Sequence, residues 1–406
     1  MGRRYYSQHS LRRIPRHPVL RFLLILLFIW DTLHILGIHW AQTASRQSPP
    51  PPRNTRRIYI ATQHWNTARL LRDRWNDALV ALVKELGAEN VYVAIYESGS
   101  YDDTKGALRE LDTALGQLEV KRHIVLSDVS HKDEITKQPT DHGWVKTPSG
   151  ETALRRIPFL ANLRNQLLDT LQELHSQGHE FDNILFLNDV VFTPEDVLRL
   201  INTNGGDYAA ACSLDFSNLP HFYDTFALRD SQGHEAVMQT WPYFRSYTSR
   251  YATEHFLPVP VTSCWNGMVA MPVAPFLSKT PLRFRGIPDS LGEYHLEGSE
   301  CCLIHADNPL SPVNGVFLNP VVRVGYNGTI FDTLHSQYEV LSMLDIWKGV
   351  WKNRVLRWAT TPVFKEWVVR RRVQKWRQNH APEDEPGGFC LINEMQVLYE
   401  KGWRHV

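Results

Sequence analysis

From residue 57 onward, short β-branched and aromatic runs alternate with longer segments whose apolar residues recur at helical spacing. The short runs predict strands at 57–62, 91–96, 122–126 and 183–187. The segments between them predict helices at 65–86, 100–118 and 158–175. Strands joined by helical crossovers lie parallel, so the alternation predicts an α/β domain with a mainly parallel sheet. Ligands bind such sheets at the carboxyl ends of the strands, and we expect the chemistry in the loops there.

The composition and the absence of some sequence motifs exclude several classes of protein. The 406 residues are 43% apolar and 21% charged, which is typical of a globular chain with one large domain or two small ones. The sequence contains no G-x-G-x-x-G, G-x-x-x-x-G-K-[ST], G-x-S-x-G or H-E-x-x-H motif. This argues against a dinucleotide-dependent oxidoreductase, a P-loop enzyme, an α/β-hydrolase and a zincin protease.

The net charge of +1 conceals three blocks of different sign. Residues 1–57 carry +9, residues 58–344 carry −13 and residues 345–377 carry +8. The part that is predicted to fold is acidic, so no broad positive field is available to a nucleic acid. We therefore exclude a nucleic-acid partner.

Residues 19–40 form an apolar stretch of 22 residues, about the length that crosses a bilayer as a helix. The preceding arginines place the N-terminus in the cytoplasm and the rest of the chain in the lumen, by the positive-inside rule. Asp31 and His34 oppose this interpretation, since an ionised Asp near the middle of a span costs about 2.5–3.5 kcal/mol. A cleaved signal peptide and a soluble amphipathic helix remain as alternatives. The four prolines at 49–52 predict an extended stem after the anchor.

The cysteines and one sequon fit a lumenal domain. An oxidising lumen permits one or two disulfides among five cysteines and leaves at least one thiol, and we favour buried thiols with a single bridge. The cysteines are Cys212, Cys264, Cys301, Cys302 and Cys390. The only N-x-[ST] sequon begins at Asn327, which is the candidate glycosylation site.

Asn188 and Asp189 form the sharpest local feature, because they follow a wholly apolar strand and precede a further apolar run. A carboxylate at a strand end can hold Mg²⁺ or Mn²⁺ against the diphosphate leaving group of a nucleotide sugar. Many such transferases use D-x-D, whereas this chain offers Asn-Asp with one carboxylate. The alternative is an ordinary Asn-Asp turn. With an anchor, a stem and an α/β domain, the pattern favours a glycosyltransferase.

Three more charged residues lie close in sequence to that strand. Arg156 and Arg164 belong to the helix that leads into it, and arginine suits bidentate contact with phosphate. Solvated arginines on a helix are an equal alternative. Asp215 follows the next strand and is a candidate for assisting the metal or contacting the sugar.

Two later segments offer groups for a sugar or an acceptor. Trp265 and Asn266 supply a ring face and an amide, although a core Trp at a strand start is equally consistent with the pattern. Glu300 lies in the first turn of a helix that Ser299 can cap, and it is a candidate base or acceptor-orienting residue. His305 and Asp307 could add a metal ligand, but we favour a capped surface helix there.

In their order along the chain, these motifs resemble the fungal capsule-associated α-1,3-mannosyltransferases, the cryptococcal mannosyltransferase family. The likeness covers about 57–326, and residues 386–394 match as well. The motifs are R-N at 164–165, L-N-D-V at 187–190, S-C-W-N-G at 263–267, S-E-C-C at 299–302 and N-P-V-V-R-V at 319–324.

The resemblance implies a GT-A-like nucleotide-sugar-binding fold, dependence on Mn²⁺ or Mg²⁺, GDP-mannose as donor, a glycan acceptor and a single-pass type II position in the Golgi membrane. An α-linked donor and an α-linked product would make the enzyme retaining. In a front-face mechanism the departing phosphate can take the acceptor proton, so Glu300 would orient the acceptor or stabilise the oxocarbenium-like centre. The candidate roles are catalysis by Glu300 and Asp215, donor binding by Arg156, Arg164, Asn188 and Asp189, metal binding by Asp189, and sugar or acceptor binding by Trp265 and Asn266.

The predicted organisation is a cytoplasmic tail (1–18), a transmembrane signal anchor (19–40), a Pro-rich stem (41–56), a catalytic domain (57–340) and a basic, Trp-rich helical extension (341–406). The extension could lie on an anionic membrane, but we favour helices that pack their tryptophans on the core. A non-catalytic factor for polysaccharide assembly or export that kept the fold is the alternative function, and a lectin is a more distant one.

Overall fold

The computed structural model describes residues 18–46, 56–337 and 340–406. The predicted cytoplasmic tail up to residue 17 and the four prolines of the predicted stem lie outside the described residues.

Sixteen strands form in the described ranges, and ten of them belong to one sheet. The strands are β1 (Ile58–His64), β2 (Val91–Glu97), β3 (Lys121–Leu126), β4 (Trp144–Lys146), β5 (Thr152–Leu154), β6 (Asn183–Leu187), β7 (Ala210–Asn218), β8 (His221–Phe222), β9 (Arg229–Asp230), β10 (Val259–Ser263), β11 (Met268–Pro272), β12 (Glu297–Gly298), β13 (Val316–Gly325), β14 (Leu391–Ile392), β15 (Gln396–Tyr399) and β16 (Gly402–His405).

The main sheet has the strand order β3-β2-β1-β6-β11-β7-β13-β10-β9, with β8 paired to β7. Strands β3, β2, β1 and β6 are parallel neighbours, as the alternation of strands and helices predicts. Strand β11 is inserted antiparallel between β6 and β7, and β13 then pairs parallel with β7. Seven of the ten strands therefore run in one direction, which confirms the α/β class with a mainly parallel sheet.

Fourteen α-helices surround the sheet in the described ranges. They are α1 (Pro18–Arg46), α2 (Ala68–Leu70), α3 (Asn76–Leu86), α4 (Thr104–Gln117), α5 (His131–Thr136), α6 (Arg156–Ser176), α7 (Pro194–Ile201), α8 (Tyr247–Glu254), α9 (Asp289–Gly292), α10 (Glu300–Asp307), α11 (Ser311–Asn314), α12 (Gly328–Gln337), α13 (Met343–Ala359) and α14 (Val363–Asn379).

Two apolar cores lie on opposite faces of the sheet because the side chains of each strand alternate between faces. In β1, Ile58 and Ile60 pack with helices α3, α4 and α7. Tyr59 and Ala61, the residues in alternation with them, pack with the apolar side of α6. Both layers bury the faces of the central strands, so we look for a ligand site in the loops at their carboxyl ends, where such sheets bind ligands.

Helix α1 is the one helix in the described residues that is long and apolar enough to cross a membrane, judged by length and composition. It continues to Arg46, so the start of the segment that was predicted as a stem is helical. The residues up to Trp30 are exposed except for the half-buried Leu20, whereas one stripe further along, formed by Asp31, Ile35 and Ile38, is buried against the rest of the protein.

The C-terminal segment differs in part from the predicted helical extension. Helices α13 and α14 are present, but β14, β15 and β16 follow them. Strands β15 and β16 form a hairpin, and Val397 is buried in a small cluster with Val145 and Ala153. The apolar contacts of Val397 hold the hairpin against the domain, which is why the last residues form strands and not a further helix.

The cysteines form two disulfides, Cys212–Cys264 and Cys302–Cys390, and leave a buried thiol at Cys301. The expectation of a single bridge was wrong. The first bridge ties β7 to the loop after β10, and the second ties α10 to the segment before β14. These contacts join residues that are distant in the sequence, which is why spacing alone could not pair them.

Arg155 generates a prediction about stability. It is fully buried, and its guanidinium contacts Glu297, also fully buried, and Asp289, each at 2.7 Å. Arg155→Met leaves a buried carboxylate unpaired, so we expect a loss of about 3–5 kcal/mol in the free energy of unfolding.

Urea unfolding of the detergent-solubilised chain measures this loss. Arg199→Met is the matched control, since its partner Glu195 is exposed and the pair is worth about 0–1 kcal/mol. Equal losses in the two variants would contradict the prediction.

Candidate active site

Strands β1, β2 and β6 are parallel neighbours, so their carboxyl ends meet at one edge of the sheet. The register aligns Thr62 of β1 with Leu187 of β6, and His64 with Glu97 of β2. The residues that follow these strands therefore lie side by side, and Asn188-Asp189 is at the centre of this edge. This is the edge at which ligands bind in α/β sheets.

Three hydrogen bonds to other segments of the chain fix Asn188. Its backbone NH donates to the Gly267 carbonyl at 2.9 Å, and its own carbonyl accepts from the Trp75 indole at 3.1 Å. Its side-chain oxygen accepts from the Trp265 indole at 3.2 Å. The amide oxygen predicted for the donor or the metal is thus already hydrogen-bonded, and the main effect of Asn188 is to set the position of the next residue, Asp189.

Asp189 is half-buried, and its carboxylate accepts no hydrogen bond from another residue in the described part of the chain. Burial raises the pKa of Asp189 to about 6, and the nearby Arg164 guanidinium opposes this rise. A carboxylate that loses hydration without gaining a protein partner is suited to an external cation. Apart from its own backbone NH, the Asp189 carboxylate therefore has no hydrogen-bond donor in the described part of the chain and is open to an external cation.

Asp215 is fully buried and accepts three hydrogen bonds. The donors are the Asn266 amide at 2.8 Å, the backbone NH of Asp224 at 3.1 Å and the Tyr326 hydroxyl at 3.1 Å. Burial and the neighbouring Asp224 raise the pKa of Asp215 to about 7. Since both carboxylate oxygens are occupied, the geometry fits a residue that holds the surrounding loops in place.

The S-C-W-N-G segment can make this turn because two of its residues adopt left-handed backbone conformations. Asn266 has φ 45° and Gly267 has φ 94°. A Cβ on Gly267 would lie 2.6 Å from a methyl group of Val324, so only glycine fits here. The Ser213 hydroxyl donates to the Asn266 carbonyl, and the Cys212–Cys264 bridge holds the same loop to β7.

Trp265 is a core residue, which is one of the two alternatives that the sequence left open. Its ring packs against Phe186 and Phe284. The Arg164 guanidinium lies 4.6 Å above the ring centroid, so the aromatic face already has a cationic partner. Asn266 is likewise fully buried and bonded to Asp215, so neither residue offers an open surface to a sugar.

Glu300 begins α10, which the Ser299 side chain caps, and it is buried beside Arg164 at 3.2 Å. Arg164 thus links the indole of Trp265, the carboxylate of Glu300 and the field at Asp189. Arg156 lies apart from this pair, with Gln396 at 2.6 Å and the Trp403 ring at 4.3 Å. The structure therefore brings five predicted residues, Arg164, Asn188, Asp189, Trp265 and Glu300, into one connected group.

The expected surface position of α10 was wrong, because Glu300 and His305 are both buried. The imidazole Nε2 of His305 lies 2.7 Å from the Cys264 carbonyl, and Asp307 pairs with Arg285. Asn327 is exposed, and its side-chain oxygen accepts from the Ile330 NH at 2.9 Å. An exposed sequon fits the predicted glycosylation, which stays a prediction.

Sequence reasoning missed a second cluster at the ends of β1 and β2. Five buried polar atoms there have no hydrogen-bond partner in the described ranges. They are Gln63 Nε2, Trp65 Nε1, Glu97 Oε2, Ser98 Oγ and His131 Nδ1. Unpaired buried polar groups are costly, so their concentration at a ligand-binding edge marks a place where a polar ligand would supply the partners. The pattern that could have been detected in the sequence is the polar residues at the ends of β1 and β2, such as Gln63, Glu97 and Ser98.

The described residues contain one group of three His, Cys, Asp or Glu ligands within reach of a common ion, namely Cys212, Cys264 and His305. Its two cysteines are bonded to each other, so they offer no thiolate. No group of three carboxylates forms a cage among the residues described. A Mg²⁺-type ion is commonly held by one or two carboxylates together with phosphate oxygens, and Asp189 fits that mode of binding.

The strand order, with one antiparallel strand inserted beside the β6 end that carries Asp189, defines a GT-A-like, nucleotide-sugar-binding fold. The family described as cryptococcal mannosyltransferase 1 matches residues 57–307, more than half of the chain. The chain belongs to this family, as its motifs predicted. No curated protein matches the chain.

Several solved structures are similar in overall architecture. They include the mannosyltransferase PcManGT from Pyrobaculum calidifontis in complex with GDP-Man and Mn²⁺, at 11% identity and a TM-score of 0.38, covering 89% of this chain and 87% of that one. S. aureus TarS 1–349 has 11% identity and a TM-score of 0.34, with coverage of 70% and 63%. GalNAc-T7 with UDP, GalNAc and Mn²⁺ has 10% identity and a TM-score of 0.34, with coverage of 67% and 43%.

The raised pKa of Asp215 predicts a pH-dependent stability. The unfolded chain loses this proton near the usual pKa of 3.8, whereas the native protein keeps it to about pH 7. The native state therefore binds more protons in this window, and the free energy of unfolding falls as the pH rises through it. Asp215→Asn should reduce that slope by up to about 1.4 kcal/mol per pH unit.

Urea unfolding at several pH values, with a chelator present, tests this prediction. Asp128→Asn is the control, because the Asp128 side chain is fully exposed. The interpretation of Asp215 would be wrong if both variants kept the pH slope of the parent chain.

Proposed function

We propose that the chain transfers mannose from GDP-mannose to a glycan acceptor, with a divalent Mn²⁺ or Mg²⁺ ion, in the synthesis of a polysaccharide or glycoconjugate. The observation that carries the proposal is the carboxylate of Asp189, which lies without a protein partner at the carboxyl edge of the parallel strands. Membership of a mannosyltransferase family supports mannose as the sugar. The family resemblance supports an α-1,3 linkage and retention of configuration.

Asp189 is the residue that would hold the metal, and it would do so in its ionised form. A bound divalent cation supplies Lewis-acid stabilisation of the diphosphate as it leaves. Asn188 keeps the Asp189 carboxylate in place through the bonds that fix its backbone and side chain. Because the pKa of Asp189 is about 6, protons compete with a cation below that pH, and affinity for the metal should fall there.

The unpaired polar atoms at the ends of β1 and β2 are proposed to bind the nucleoside. Glu97 is fully buried, and one of its oxygens accepts from the Ser100 NH while the other has no partner. Guanine presents the neighbouring donors N1–H and N2–H₂ on one edge, and a carboxylate is their natural acceptor. Burial lowers the pKa of His131 to about 4, so its ring stays neutral with Nδ1 free to accept a hydrogen bond.

Glu300 and Arg164 are proposed to act on the sugar side of the donor. Their ion pair at 3.2 Å is nearly buried, so Glu300 stays oriented at the start of α10. In a retaining front-face reaction the departing phosphate takes the acceptor proton, and Glu300 orients the acceptor hydroxyl. Asp215 then serves as a positioning residue, because its oxygens are bonded to Asn266, Asp224 and Tyr326.

Helix α1 supports a single-pass type II position in the Golgi membrane with the catalytic domain in the lumen. The two disulfides and the exposed sequon at Asn327 agree with an oxidising compartment. The alternative is a non-catalytic factor for polysaccharide assembly or export, which the single carboxylate in place of D-x-D favours.

Asp189→Asn tests the metal site. We expect the variant to lose the metal-dependent part of its affinity for GDP-mannose, since an amide does not neutralise a divalent cation. Isothermal titration of GDP-mannose with and without Mn²⁺ measures this effect. Asp77→Asn, an exposed residue of α3, should behave as the parent chain. A parent chain that binds neither GDP-mannose nor Mn²⁺ would support the non-catalytic alternative.

Glu97→Gln tests the nucleoside site with almost no change of volume. The amide presents an NH₂ to the donor edge of guanine, so affinity for GDP-mannose should fall by about 1–3 kcal/mol. Affinity for UDP-sugars should change less, and competition titrations with both nucleotides give the ratio. Glu89→Gln on the exposed surface is the control. Equal losses for GDP and UDP ligands would argue against a contact with the base.

A further inference from the structure

We propose that α13 and α14 form a second membrane contact, a surface that lies in the interface of the lipid bilayer beside helix α1. This inference goes beyond the proposed transferase activity, which uses neither helix. The surface, here called the C-terminal apolar face, consists of Leu344, Trp347, Val355 and Trp358 of α13 and Val363, Phe364 and Trp367 of α14.

Helix α1 is joined to α13 by an ion pair and an apolar stripe. Asp31 is nearly buried and receives hydrogen bonds from both terminal nitrogens of Arg354, at 3.1 to 3.3 Å. Ile35 and Ile38 of α1 pack in one cluster with Ile346 and Val350 of α13. The two helices therefore move as one body, and the Asp that opposed a transmembrane interpretation has a cationic partner.

The length of α1 places α13 at the membrane. Residues 18–30 precede the part of the helix that docks on the protein, and at about 1.5 Å per residue they span about 20 Å. The hydrocarbon core of a bilayer is about 30 Å thick. If α1 crosses the bilayer, part of its docked half must also lie within the membrane, and α13 is then drawn to the lipid surface.

The exposed residues of α13 have the spacing of an apolar helix face. Leu344, Trp347, Val355 and Trp358 follow one another at intervals of three, eight and three residues, which keeps them on one side of the helix. A second face of α13, formed by Ile346, Val350 and Arg354, contacts α1. Around the helix axis, the two faces are displaced from each other by about one residue. One residue corresponds to a rotation of about 100° around the helix axis. The exposed face of α13 therefore borders α1 and continues the exposed apolar surface of α1.

The two helices end in a cluster of large exposed side chains. Trp358 is 70% exposed, Phe364 is 76% exposed and Trp367 is 54% exposed. Only Trp376, among the tryptophans of these two helices, is fully buried. The interpretation that these tryptophans pack on the core was therefore wrong for most of them, and this many exposed aromatic side chains on two successive helices mark an interaction surface.

The charge of the helices selects a lipid surface as the partner of this interaction surface. Residues 345–377 carry a net charge of +8, and exposed cations such as Lys348, Lys352, Lys365 and Arg371 stand beside the aromatic side chains. Basic residues next to Trp and Phe are the composition of helices that lie in the interface of a membrane, where the cations reach the lipid phosphates. A second copy of the chain would instead bring +8 against +8 at this face.

Spin labels on the full chain, reconstituted into vesicles of phosphatidylcholine and phosphatidylserine, test the proposal. Trp358→Cys and Phe364→Cys carry the label on the C-terminal apolar face, and Val313→Cys, 79% exposed in α11, is the matched control. The parent chain, whose free Cys301 is buried, gives the labelling background. Collision rates with lipid-soluble oxygen and with a water-soluble nickel chelate report the surroundings of each label.

We expect positions 358 and 364 to collide several-fold more with oxygen, and several-fold less with the nickel chelate, than position 313. Lys365→Glu together with Arg371→Glu should raise the nickel collisions at position 364. Nickel collisions equal to those at position 313 would overturn the proposal. Labels protected from both reagents would also overturn it, because a protein would then cover the face.

Discussion

The buried carboxylate of Asp215 is the interaction on which the geometry of the site depends. Its three donors come from separate segments, namely the turn at Asn266, the loop at Asp224 and the end of β13 at Tyr326. A single acceptor therefore fixes three loops relative to β7. Burial and the neighbouring Asp224 raise its pKa, and the three hydrogen-bond donors oppose this rise. Because Asp215 holds these loops, their positions do not depend on the carboxylate of Asp189, which can stay without a partner.

The two clusters at the sheet edge differ in the kind of ligand group that each is suited to bind. The ends of β1 and β2 present polar atoms that are buried and unpaired, which suits a ligand read by hydrogen bonds. The end of β6 presents a carboxylate, which suits a cation. A nucleotide sugar has both kinds of group, a base at one end and a diphosphate in the middle. The order of β2, β1 and β6 in the sheet arranges the two clusters in that sequence.

The strands, the alternation and the position of Asp189 could be predicted because they depend on local patterns. The spacing of apolar residues distinguishes β1 from α3. The apolar run of β6 followed by Asn-Asp can be recognised directly in the sequence. The antiparallel insertion of β11 could not be predicted, since direction in a sheet depends on contacts with β6 and β7. The unpaired atoms of Glu97 and His131 were missed for a similar reason, because an unpaired atom can be recognised only when its neighbours are known. Trp265 shows the opposite case, in which residue type suggested a sugar and packing placed the ring in the core.

Helix α1 is joined to the rest of the protein along the stripe from Asp31 to Gln42, and this has a practical consequence for handling the protein. Gln42 accepts a hydrogen bond from the backbone NH of Leu341 at 3.1 Å, so even the end of the helix belongs to the folded body. Removing the first 46 residues to obtain a water-soluble enzyme would uncover Ile346 and Val350 and leave Arg354 without its carboxylate. The shortened chain would then tend to self-associate. For production in a homogeneous state, helix α1 is best kept as an element of the domain, with mild detergents or lipid discs to cover its exposed apolar residues.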